Sequence, residues 1–165
     1  MFLKNTAYFY FVLLIGVFVT ACKKAPNYAK EPLIEFSNLK VTSNSSDLTD
    51  SVYISVHFKD GDGDIGNDPL ADKDFLVKIY KKEAGVFNYL DLGVFDYSGN
   101  LPKFSEFVGP IDGTITQVLP FDYIIPNDLD FNKDDTLRFE IQIKDRANNF
   151  SNTVQTSEYV LWKNF

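Results

Sequence analysis

The sequence predicts an all-β protein, a single antiparallel β-sandwich of seven or eight strands, and three observations carry that prediction. Two stretches alternate cleanly: "SVYISVHF" (51–58) puts Val52, Ile54, Val56 and Phe58 on one face, and "TLRFEIQIKD" (136–145) does the same with Leu137, Phe139, Ile141 and Ile143. No segment of the chain after residue 32 carries an apolar stripe at helical spacing. Turn residues separate short apolar runs at regular intervals, the layout of two packed sheets.

Taken in order, "LIEFSNLKV" (33–41) reads as the first strand and 51–58 as the second. "DFLVKIYKK" (74–82) follows an acidic loop, and "VFNYLDLGVFDY" (86–97) reads as one bent strand or two short ones, with Gly93 a candidate bulge. "TITQVLPFDYII" (114–125) reads as a strand interrupted at Pro120, 136–145 follows it, and "NTVQTSEYVLW" (152–162) closes the set. The longest connection, 98–113, holds Phe104 and Phe107, which read as aromatics packing an irregular edge.

The first residues address location. Lys4 precedes a short apolar run, "AYFYFVLLIGVFV" (7–19), and Val19-Thr20-Ala21-Cys22 follows. A positive start, a run too short to span a bilayer and small residues before a cut describe a secretory signal peptide over 1–21. The residues before Cys22 resemble the lipobox of bacterial lipoproteins. That resemblance implies cleavage before Cys22 and lipid on its thiol, hence membrane attachment through more than one acyl chain. Residues 22–32, "CKKAPNYAKEP", then read as the lipidated cysteine and a flexible tether, and 33–165 as the folded domain. Cys22 is followed by Lys23 and Lys24 rather than by an aspartate or an acidic run, which in lipoproteins favours the outer membrane, periplasmic face. With one cysteine in the chain no internal disulfide forms, and stability rests on the core.

Composition narrows the partners. The whole chain carries a net charge of −7, and removing Lys4 with the signal leaves −8. That balance excludes a nucleic-acid binder, which needs basic patches. Catalytic constellations are missing as well. The single histidine, His57, sits on the outward face of its strand, and no phosphate loop, zinc spacing or nucleophile elbow occurs, so the sequence reads as non-enzymatic.

The stretch most suggestive of chemistry is "KDGDGDIGND" (59–68). Asp60, Asp62 and Asp64 are hard oxygen donors of the kind calcium takes. On a straight strand they would stand about 6–7 Å apart, too far for ligands that lie about 2.3–2.6 Å from an ion. Gly61 and Gly63 permit the curl that brings them together. An EF-hand is excluded, because the sixth position from Asp60 is Ile65 and the twelfth Ala71, where Gly and Glu are needed. The competing reading is a solvated turn rich in turn formers. Against it, six aspartates fall between 60 and 74, and like charges so close repel. The second acidic run, "NDLDFNKDD" (127–135), lacks glycine and reads as a turn.

Two motifs, "HFKDGDGDIG" (57–66) and "IQIKDRANNFSN" (141–152), together resemble small lipid-anchored immunoglobulin-like domains of Gram-negative bacteria, in which a DGDGDIG loop follows the second strand and a DRAGNxSN loop precedes the last. The resemblance implies an immunoglobulin-like or fibronectin-III-like sandwich in the cell envelope and no particular activity. In such a sandwich both loops lie at one end, which brings Asp145 and Asn148 toward Asp60, Asp62 and Asp64, and Glu31 and Glu35 into range. The expected site is one calcium at the membrane-proximal end, stiffening the tether when filled. Ile65 is expected to pin the loop beneath the sandwich. Two functions remain: a lipid-anchored interaction or structural module for an envelope protein, or a glycan binder using Tyr89, Phe95, Tyr97, Phe104 and Phe107, distinguished by whether those rings are exposed. Asp50-Ser51-Val52 and Asp135-Thr136-Leu137 also resemble a short O-glycosylation acceptor pattern of Gram-negative periplasmic proteins.

Overall fold

A computed structural model describes residues 26–68, 71–91, 97–103, 109–122 and 131–164. Strands β1 (Leu33–Asn44) and β2 (Thr49–Asp60) form a long antiparallel hairpin, with a register shift between Phe36 and Asn38. The alternation of β2 is complete: Val52, Ile54, Val56 and Phe58 are all buried, as their spacing predicts. The same period reaches both strand ends, so Asp50 and Asp60 stand on the core face and are buried too.

The remaining strands are β3 (Phe75–Glu83), β4 (Val86–Tyr89), β5 (Ile111–Asp122), β6 (Thr136–Ile143), β7 (Val154–Gln155) and β8 (Tyr159–Val160). One sheet runs β1-β2-β5 and the other β4-β3-β6-β7, with β8 also paired to β6. All pairings are antiparallel. First, second and fifth strands face third, sixth and last, which is the immunoglobulin-like arrangement, with the short fourth strand on the second sheet. The inward rows of β2, β3, β5 and β6 meet in one core, centred on Ile54, Phe75, Leu119, Phe121, Phe139 and Ile141. Phe121 is its aromatic hub, stacked on Tyr97 at 4.9 Å and edge-on to Phe131 at 5.6 Å.

Two strand expectations change, and a third lies partly outside the described residues. β5 starts at Ile111 and runs through Pro120 without a break. Among the described residues its only sheet neighbour is β2, so it lies at an edge, where a missing N–H disturbs no ladder. The fourth strand ends at Tyr89, and Gly93 lies outside the described residues. The last strand is split in two, because Thr156 turns its hydroxyl inward to accept from the Phe139 N–H while its own N–H donates to the Phe139 carbonyl.

The far end of the sandwich is closed by Asp50. Its Oδ2 accepts from the Tyr159 hydroxyl and from the Trp162 N–H at 2.8 Å. The Trp162 indole N–H donates to the Phe121 carbonyl at 3.0 Å. One oxygen of this buried carboxylate is satisfied by donors buried with it, while Oδ1 has no partner.

Candidate metal centre

The loop leaving β2 and the loop between β6 and β7 meet at one end of the sandwich. Ile65 and Asp145 form an isolated antiparallel bridge, and Ile65 is fully buried, so the apolar pin expected from the sequence is in place. Arg146 ties the two loops further: its N–H donates to the Asp64 carbonyl at 3.2 Å and its guanidinium to the Gly66 carbonyl at 2.9 Å.

The loop curls as its glycines permit, though each glycine acts differently. Gly63 sits at φ 74, a backbone that L side chains resist. Gly61 is needed for clearance instead. A Cβ there would stand 2.5 Å from the backbone oxygens of both Tyr28 and Ala29. The curl places oxygen atoms of Asp60, Asp64 and Asp145 within 4.8 Å of one another. Ligands on opposite sides of one calcium ion stand about 4.6–5.2 Å apart, so the three carboxylates span a volume such an ion fills.

Local hydrogen bonds hold the carboxylates in place. The Asp64 N–H donates to Asp60 Oδ2 at 2.9 Å, and the Ala147 N–H to Asp64 Oδ2 at 3.1 Å. Asn149 grips Asp145 twice, through its backbone N–H to Oδ1 and its side-chain amide to Oδ2, both at 2.8 Å. Among the described residues five carboxylate oxygens are buried with no partner, and three of them lie on this loop: Asp60 Oδ1, Asp62 Oδ1 and Asp64 Oδ1, the others being Asp50 Oδ1 and Asp74 Oδ2. Asp60 is 0 % exposed and Asp145 2 %. A buried carboxylate oxygen without a donor is costly, and a bound cation is the kind of group that offsets it.

Electrostatics agree with this geometry. Burial pushes the Asp60 carboxyl up to about 6, the Asp64 amide pulls the other way, and the charges of Asp62 and Asp64 add to the rise. Asp64 is raised by burial first and then by the charges of Asp145 and Asp62, against the Ala147 amide and Arg146.

Of the five residues expected to bind an ion, Asp60, Asp64 and Asp145 converge, and Asp62 presents a buried unpartnered oxygen on the same loop. Asn148 is exposed and serves the turn, at φ 67 with its N–H donating to the Asp145 carbonyl at 3.2 Å. Asparagine tolerates that left-handed backbone, which is how the turn survives without glycine. Asn149 was not anticipated, although an amide four residues after a turn aspartate is a sequence signal for such a grip. Glu31 and Glu35 are exposed.

The other candidates fall elsewhere. His57 is half-buried and pairs through Nε2 with Asp112 at 3.2 Å. Tyr89 is 56 % exposed, whereas Tyr97 lies against Phe121. Cys22, Phe95, Phe104 and Phe107 lie outside the described residues. In the two acceptor-like triplets, Asp50 is buried and Asp135 pairs with Lys81 at 3.0 Å. The described part of the second acidic run is a turn, closed by the Asp135 N–H donating to the Asn132 carbonyl at 3.1 Å. Among the described residues no helix is long and apolar enough to cross a membrane. Comparison with protein families, curated proteins and solved structures finds no match to the chain.

Proposed function

We propose that this chain is a non-enzymatic, lipid-anchored cell-envelope protein whose sandwich is an interaction or structural module stabilised by one calcium ion. The observation that carries the calcium reading is Asp60, wholly buried, with one carboxylate oxygen unpartnered beside Asp64 and Asp145. Asp60, Asp62, Asp64 and Asp145 supply the carboxylates, and a cation held there relieves both their mutual repulsion and their unmet acceptor capacity. Anchoring rests on Cys22 and the lipobox-like residues before it, with the outer membrane, periplasmic face, as the destination.

Calorimetric titration with calcium chloride tests the site: binding heat is expected at submillimolar to millimolar calcium, and its absence at those levels refutes it. Intact mass of the protein from its native envelope tests the anchor. Diacylglycerol mass at Cys22, lost in Cys22→Ser together with membrane fractionation, is the expected result.

One observation favours glycan binding as a second reading. Tyr89 is exposed on the outer face of the second sheet and meets Tyr80 edge-on at 5.8 Å, beside Phe87, over which the Arg138 guanidinium lies at 4.2 Å. Exposed rings of this kind stack on sugar faces, and Tyr89→Ala abolishing retention on immobilised envelope glycan would support that use of the face.

A further inference from the structure

The loops of the metal centre also hold the segment that leads to the lipid. Tyr28 and Ala29 turn their backbone oxygens onto Gly61, between Asp60 and Asp62. The Tyr28 hydroxyl donates to Asp112 Oδ2 at 2.9 Å, and the other oxygen of that carboxylate faces His57. On the opposite loop, Asn152 behaves as a strand neighbour for β1. Its Oδ1 accepts from the Ile34 N–H and its amide donates to the Ile34 carbonyl, both at 2.8 Å. Pro32, between these fixed points, is buried. One ion loop thus seats residues 28 and 29, and the other fastens residue 34.

We propose that the metal centre is a calcium-operated clamp on the membrane tether, an inference that rests on the calcium reading above. With calcium bound, Asp60 and Asp64 on one loop and Asp145 on the other share a counter-charge, the two loops close, and the seat at Gly61 and the fastening at Asn152 hold residues 28–34 against the sandwich. With calcium withdrawn, the buried carboxylates of Asp60 and Asp145 and the half-buried one of Asp64 repel, the loops part and residues 28–32 leave the surface. Five residues freed as extended chain add on the order of 15 Å to the distance the domain reaches from its lipid. Calcium therefore sets how far from the membrane the module works. Coupling of this kind is reciprocal: whatever factor calcium contributes to tether docking, docking contributes to calcium affinity.

The test uses the full lipidated chain in detergent micelles, digested by a lysine-specific protease with calcium chloride or with chelator, alongside calorimetric titration of the same samples. The bond after Lys30, inside the clamped segment and exposed to solvent, reports the clamp. Cleavage there is expected to slow at least tenfold with calcium. Tyr28→Ala removes the latch to Asp112 without altering a carboxylate of the ion site. It is expected to restore fast cleavage in calcium and to weaken calcium binding several-fold, by the factor docking contributes. Calcium binding with unchanged cleavage after Lys30 overturns the clamp and leaves the calcium site standing. No binding heat overturns the calcium reading and the clamp with it. A Tyr28→Ala protein that still resists cleavage in calcium shows that Tyr28 is no latch and overturns the clamp as drawn.

Discussion

Replacing Asp60 by Asn tests the candidate metal centre with and without an ion. With no ion bound and the loops closed, burial pushes the Asp60 carboxyl up from 3.8 to about 6. The fold therefore binds that proton more tightly than the unfolded chain does. Stability is fullest below about pH 4, falls as pH rises to about 6, and stays reduced above it. About two units at 1.36 kcal/mol each make a deficit of up to about 3 kcal/mol at pH 7.5. Asn keeps an oxygen for the Asp64 N–H, removes the charge, and turns its amide toward carboxylates that lack donors. Ion-free Asp60→Asn is therefore expected to be more stable than wild type at pH 7.5 by up to about 3 kcal/mol, with the difference gone by pH 4. Calcium narrows the gap. At 5 mM calcium and a dissociation constant of roughly 10⁻⁴–10⁻³ M, wild type gains about 1–2 kcal/mol, a rise of about 2–8 °C in Tm. The variant, short of its most buried ligand, gains none. Thermal melts of both proteins at pH 4 and 7.5, in chelator and in calcium, measure all of this. A variant that is less stable than wild type in chelator at pH 7.5, or that gains as much from calcium, refutes the reasoning.

Three further outcomes follow from the packing. Tyr159→Phe removes one of the two donors to the buried Asp50 carboxylate, whose Oδ1 already lacks a partner, and is expected to cost about 1–3 kcal/mol in urea unfolding. The emission of Trp162, the only tryptophan and itself buried, follows that transition. Phe121→Ala empties the aromatic hub shared by Tyr97, Phe131, Phe139 and Tyr159, at about 3–5 kcal/mol by the same assay. Gly66→Ala forces a Cβ into the Pro102 carbonyl at φ 86; it should lower Tm by several degrees through a cost of about 1–3 kcal/mol, and an unchanged Tm would contradict the close approach.

The sandwich was legible because its two central strands, β2 and β6, each bury a full apolar row, and period two is the strongest signal a short strand carries. The same period, extended one step each way along β2, places Asp50 and Asp60 on the core face. Charge at those positions reads as the end of a strand, so the burial of Asp50 was not anticipated. Pro120 misled for a related reason. Proline disrupts a central strand and is harmless on an edge, and which strand lies at an edge is a property of topology. At the candidate site, the meeting of Asp145 with Asp60 and Asp64 followed from knowing which loops share an end. The grip of Asn149 on Asp145 is local to one turn, whereas the role of Asn152 as a surrogate strand and the seating of Tyr28 on Asp112 depend on tertiary contacts between segments with no periodic pattern.

Asp50 and its two donors lie 109 and 112 residues apart along the chain. A polypeptide emerging from its N-terminal side exposes Asp50 and its strand long before Tyr159 and Trp162 appear. Until they do, closing the core over Asp50 would strand a carboxylate in apolar surroundings without either donor, so premature collapse is unfavourable at that end. The long separation also makes the decisive contacts non-local, which slows folding. Closure of that end of the core therefore waits on the last segment of the chain, 109 and 112 residues after Asp50.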